Sequence, residues 1–217
     1  MSVRGLLTAS LGLALAMLGF GLWVAAGLKS GAQLPVHWNL AGEADRTAPA
    51  LVALAMPAVM AIMLCLLFVA IPRLEPLQPQ LEASAPVLRA VWIGSLLLMV
   101  YVQMTIAAPA LGWTLGPDLL LVGMGVLLVM VGDALPKSRP GLLVGIRTPW
   151  TLNNTDNWIA THRLGGKLMM VAGGLIVLAT IAPLRSGVRM IIITALVTCA
   201  ALVPVIYSWW LARRHTT

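Results

Sequence analysis

Charge is what this sequence has least of. Asp, Glu, Lys and Arg together make up 10% of its 217 residues, and only seven of them are acidic. Soluble domains carry about a quarter charged residues, so a soluble globular class is excluded. Cysteine is nearly absent. Cys65 and Cys199 each sit inside an apolar run, which makes neither a disulfide framework nor a metal-binding pattern. They read as small buried apolar side chains. Three widely separated histidines, with no Ser/His/Asp set and no paired carboxylates, give no catalytic residue, no metal site and no cofactor site, so an enzyme is not expected. Fourteen basic residues outnumber the acidic ones by seven. They form no basic run with interleaved aromatics, so nucleic acid is not expected as a direct partner. On a membrane protein such residues mark cytoplasmic loops and anionic headgroups, which makes membrane lipid the first expected partner.

What the chain has instead is hydrocarbon: 60% hydrophobic residues and a mean hydropathy of +0.95. Six apolar runs span Leu6–Leu28, Ala50–Ile71, Val87–Ala108, Asp118–Leu135, Leu164–Pro183 and Val188–Leu211. Each approaches the roughly 20 residues that cross a bilayer core. The expected fold is all-α, a single polytopic membrane domain over 1–217 with six transmembrane helices. The first run is too long for a signal-peptide core and reads as a retained span. Gln103, in the interior of the third run, should face other helices as interhelical glue or line a solute pathway. Asp118 suits a helix N-terminus. Asp133 should sit at the interface or pair with a basic residue of the next loop, such as Arg147. Gly123, Gly125 and Gly132 allow close helix contact. Pro204 is placed to kink the sixth run. Trp209-Trp210 followed by Arg213-Arg214 reads as an aromatic belt and a cytoplasmic anchor.

Six spans put both termini on one side. An N-in, C-in arrangement places ten basic residues inside, among them Arg73, Lys137 and Arg147. It leaves Lys29, Arg46, Arg185 and Arg189 outside. The positive-inside bias favours that orientation in a bacterial inner (cell) membrane.

Two polar stretches interrupt the hydrocarbon. Residues 29–49 form an outer loop whose Pro35, Asn39 and Gly42 predict extended and turn structure. It carries His37, Asn39, Glu43 and Asp45, with Trp38 at the interface and Asp45 beside Arg46. Residues 136–163 form the second loop, on the cytoplasmic side, where Arg147, Thr148, Pro149, Trp150, Asn154, Trp158, His162 and Arg163 arrive together. Bilayer hydrocarbon penalises unpaired polar groups by several kcal/mol each, so this stretch belongs in water, at the headgroups or in a polar cavity. Asn153 can cap a short interfacial helix over Thr155–Arg163, just before the fifth span. Asn154, Trp158 and His162 then share one face, directed at the membrane or the bundle. His162 is a candidate proton-responsive group. Arg147, Arg163 and Lys167 are candidates for a phosphate or an acidic partner segment.

The second loop resembles the SdpI family of bacterial membrane immunity proteins. The resemblance rests on Gly145–Leu152 (GIRTPWTL), Asn157-Trp158 and Thr161–Lys167 (THRLGGK). Leu34–Asn39 (LPVHWN) with Gly42–Asp45 (GEAD) resembles the outer-loop module often found ahead of the SdpI segment. Gly132-Asp133 departs from the family's pattern. The resemblance implies protection against a secreted, membrane-active toxin peptide. It also implies recruitment of a cytoplasmic repressor when toxin is present. A toxin peptide and a repressor are therefore the expected partners. The expected ligand- or partner-binding set is Arg147, Thr148, Pro149, Trp150, Asn154, Trp158, His162 and Arg163, with His37, Asn39, Glu43 and Asp45 in the outer loop. The alternatives are a small-solute or ion transporter or channel, suggested by Gln103, Asp133 and the kinking prolines, and a membrane enzyme using His162 or the His37, Glu43, Asp45 cluster.

Overall fold

A computed structural model describes residues 3–39 and 42–214 of the chain. Unbroken apolar sequence folds as helix wherever no partner strand is available to take up backbone polar groups. The helices are α1 (Val3–Ala26), α2 (Ala50–Leu74), α3 (Gln78–Ala83), α4 (Ala85–Leu111), α5 (Asp118–Ala134), α6 (Pro149–Asn153), α7 (Thr155–Ile181) and α8 (Ser186–Arg214). Six of them, all but α3 and α6, are long and apolar enough to cross a membrane. The protein is a multi-pass, all-α membrane protein.

The helices form two groups. In the first, α1, α2 and α4 pack together, and Gln103 of α4 staples them. Its Nε2 donates to the Met17 carbonyl of α1 at 2.8 Å and to the Leu54 carbonyl of α2 at 2.7 Å. Gln103 is fully buried, and these two bonds tie α4 to α1 and α2. In the second group α7 packs between α5 and α8, and α5 also meets α4. Small residues allow α5 and α7 to touch backbone to backbone. Gly125 faces Gly173, and Gly132 faces Gly166, one heptad along on each helix. A Cβ on Gly125 would lie 2.7 Å from the Gly173 carbonyl, and one on Gly132 would lie 2.7 Å from that of Gly166. Gly123 packs instead near Leu98 of α4.

The ends of the bundle carry the polar stretches. Residues 29–49 fold as an antiparallel hairpin of β1 (Gln33–Trp38) and β2 (Ala44–Pro49), the only strands among the described residues. The extended structure expected there is present. The Asp45–Arg46 neighbourhood is not the partnership formed, because His37 Nδ1 meets Asp45 Oδ1 at 2.5 Å across the hairpin. That hydrogen bond is the main reason the Asp45 carboxyl is held below its ordinary value of 3.8. Asn39 accepts the Glu43 N–H at 3.0 Å and donates to the Glu43 carboxylate at 3.2 Å. Residues 40 and 41 of this outer-loop module lie outside the described residues, as do the terminal residues 1, 2 and 215–217.

Several sequence-based expectations are corrected. The fifth span begins at Thr155, so the expected interfacial helix over Thr155–Arg163 is the first part of α7, and the separate short helix is α6. Asn154, not Asn153, caps α7, accepting the Asn157 N–H at 2.9 Å. Asp133 does pair with a basic residue of the next loop, but it is Lys137, one turn away at 2.8 Å, and not Arg147. Cys65 is buried as expected, but Cys199 is exposed on the outer surface of α8. Asp118 opens α5 and pairs with Arg189 of α8 at 2.7 Å. Trp209 and Trp210 each lie under the guanidinium four residues on, Arg213 and Arg214.

Candidate functional site

The second polar stretch does not hang free. It runs from a short 3-10 turn at Leu135–Lys137, across the end of the bundle, to α6 and α7. Four sets of hydrogen bonds hold it.

The first comes from the α2–α4 connection. Glu75, 2% exposed, turns its carboxylate to the backbone of the stretch: Oε2 accepts from Leu142 N at 3.0 Å and Leu143 N at 2.8 Å, and Oε1 from Leu77 N at 3.2 Å. Three N–H donors thus converge on one buried carboxylate, and hydrogen bonds to a charged acceptor are the strong ones. Ser84 adds a bond from Arg139 N at 2.9 Å.

The second is His162. Its Nδ1 meets the Trp158 carbonyl at 2.7 Å, and its Nε2 meets the Ile146 N–H at 2.8 Å. A carbonyl only accepts and a backbone N–H only donates. These partners therefore select the neutral ring with its proton on Nδ1. The ring stacks on Trp158 with centroids 4.0 Å apart, and both side chains are fully buried. Trp158 donates its indole N–H towards Ser138 Oγ at 3.2 Å. Gly145 lies directly over this pair at φ +113°, where a Cβ would stand 2.5 Å from His162 Nε2 and 2.7 Å from the Trp158 ring. The position demands glycine twice, for its backbone angle and for its lack of a side chain.

The third set caps α6. Thr148 and Thr151 form a reciprocal capping box, with Thr151 N to Thr148 Oγ1 at 3.2 Å and Thr148 N to Thr151 Oγ1 at 2.9 Å. Pro149 occupies the first helical position, where its missing N–H costs nothing. The fourth set reaches α8. Thr148 Oγ1 meets Ser208 Oγ at 3.2 Å, Asn157 Nδ2 donates to the Ser208 carbonyl at 2.8 Å, and Thr161 donates to Asn157 Oδ1 at 3.0 Å.

The expected binding set therefore divides in two. Thr148, Trp158 and His162 are buried and occupied with internal partners. Arg147, Pro149, Asn154 and Arg163 are exposed, and Trp150 is half-buried. Arg147 turns its guanidinium back onto the Leu142 carbonyl. Arg163 and Lys167 are exposed on α7. The hairpin residues His37, Asn39, Glu43 and Asp45 are at the other end of the bundle, so the structure does not join the two sets. Among the described residues no group of His, Cys, Asp and Glu is arranged to hold a metal ion. Asn157 and Thr161 entered the sequence reading only as part of the SdpI-like motif, and Glu75, Ser84, Ser138 and Ser208 were not singled out by sequence. Only Glu75 carried a usable signal, an isolated acidic residue directly after a long apolar run.

A family model described as the SdpI/YfhL protein family matches residues 137–208. The matched segment starts at the turn before the loop and stops at Ser208, the residue that closes the network on α8. Over this segment the chain is similar to the SdpI/YfhL family. A second model, described as a domain of unknown function (DUF1648), matches residues 13–61, which hold the hairpin and the adjoining parts of α1 and α2. The chain is 25% identical over 118 residues to a Bacillus subtilis (strain 168) protein named Immunity protein SdpI, covering 54% of this chain and 56% of that one. The match thus spans little more than half of the relative's length. No solved structure matches the chain.

Proposed function

We propose that this chain is a member of the SdpI/YfhL family and an immunity protein of the bacterial cell membrane, with both termini in the cytoplasm. It protects against a secreted, membrane-active toxin peptide and reports the encounter to a cytoplasmic regulator. The observation that carries the reading is the coincidence of the 137–208 family match with a fully built hydrogen-bonded clasp. A stretch that only joined two spans would need none of these buried polar partners.

The clasp supports a binding role over a catalytic one. The buried histidine uses both ring nitrogens on backbone groups, leaving no nucleophile–base pair. The buried residues form the scaffold, and exposed Arg147 and Arg163 form the surface offered to an acidic partner. Charge supports that orientation: the clasp end carries ten basic residues against four acidic ones, and the hairpin end four against three. On the hairpin side a cleft of about 360 Å³ opens between Val36–Asn39, α5 and α8, floored by Leu121 and Met190 and edged by Asp118 and Arg189. An apolar floor with a charged edge suits an apolar peptide segment arriving from outside.

The test is survival of a bacterium sensitive to a secreted envelope-active peptide, with and without this protein at verified membrane levels. Protection by wild type is expected. Unchanged sensitivity to every such peptide tried would overturn the reading.

A further inference from the structure

Beneath residues 143–146, where the two helix groups meet, lies a cavity of about 310 Å³. Its walls come from Phe68 of α2, Val91 of α4, Val131 of α5 and Met169 of α7, and its roof from Leu143 to Ile146. Every lining side chain is apolar, so water finds no side-chain partner there. A dry cavity of about 150 Å³ in a soluble core already binds benzene, and this one is larger. It lies among membrane spans, where the surrounding medium is acyl chain.

Basic side chains predominate beside it. Four segments that line the cavity each continue into an exposed basic residue within two positions. Ile71 is followed by Arg73, Leu88 by Arg89, Leu135 by Lys137 and Ile146 by Arg147. The nearby acidic groups are engaged: Glu75 with the Leu142 and Leu143 N–H groups, and Asp133 with Lys137. An apolar cavity under a cationic rim complements a lipid with an apolar chain and an anionic headgroup.

We propose that this cavity holds an acyl chain of an anionic phospholipid, whose phosphate sits among these basic side chains, and that the bound lipid fixes the 143–146 roof. The roof is held at its ends by Glu75 and by His162, and the lipid supplies the packing between those points.

The test uses the full chain in nanodiscs of phosphatidylcholine, with or without phosphatidylglycerol. Hydrogen exchange is read over residues 143–147, and lipid retention by native mass spectrometry. Phosphatidylglycerol is expected to be retained and to slow exchange in this segment by about tenfold, while α1 is unaffected. Val131→Trp, which fills the cavity, should abolish both effects. If that variant does not fold, the surface pair Arg73→Gln and Arg89→Gln should remove the preference for the anionic lipid. Soluble glycerol phosphate added to neutral discs should protect nothing. Equal exchange in both lipids, a full effect in Val131→Trp or in the arginine pair, or protection by glycerol phosphate alone would overturn the proposal.

Discussion

Ile146 donates its backbone N–H to Nε2 of His162 at 2.8 Å, tying the middle of the second polar stretch to the first turns of α7. The imidazole serves as a shaped acceptor under Gly145, stacked on Trp158.

His162→Ala should therefore act on structure. It removes the acceptor for a backbone N–H and the ring that packs on Trp158. The expected loss is about 2–4 kcal/mol, combining an unsatisfied donor with a core void. Thermal unfolding in detergent and faster exchange at Ile146 would register it. A variant with wild-type unfolding and wild-type exchange would contradict the assignment.

Glu75 links the α2–α4 connection to the same stretch through two amides. Glu75→Ala leaves both N–H groups without that acceptor, and limited proteolysis within 139–147 should speed up several-fold. Glu75→Gln keeps an acceptor oxygen and should fall between wild type and Ala. Equal cleavage of all three would show that the clamp is dispensable.

Gly166 meets Gly132 across the α5–α7 contact, where an added Cβ would stand 2.5 Å from the Gly132 carbonyl. Backbone on both sides leaves nothing flexible to move. Gly166→Val should separate the two helices and cost more than about 2 kcal/mol. Gly174→Ala, which meets open space on the same helix, serves as the control and should be neutral.

The hairpin carries a pH dependence of known sign. The hydrogen bond from His37 holds the Asp45 carboxyl below its ordinary 3.8. A lowered carboxyl contributes stability that is complete above the ordinary value and is lost as pH falls through the lowered one. Exchange protection of hairpin amides should therefore be constant down to about pH 4 and fall in stronger acid. Asp45→Asn should lack that step. An acid-induced loss unchanged in Asp45→Asn would assign it to another group.

The spans were legible because hydrocarbon length is a one-dimensional signal. Hydropathy located all six, and turn residues marked the extended structure at 29–49. The motif around Gly145 and His162 pointed to the right region. What could not be read was partner choice. Asp133 has basic residues at several sequence distances, and only helix continuation into the 135–137 turn selects Lys137. Asn153 and Asn154 are chemically equal caps, and the start of α7 decides between them. Glu75 and Leu143 are 68 positions apart, a contact that no local pattern encodes. The binding set divided for the same reason: sequence showed which polar residues cluster, and burial showed which of them face inward.

The central claim is that a buried clasp presents an exposed cationic surface to a partner. The most direct measurement is protection by the Arg147→Gln, Arg163→Ala double variant in the peptide-challenge assay, at matched membrane level and matched unfolding temperature. The account predicts a folded protein that no longer protects. Full protection by the folded double variant would contradict it.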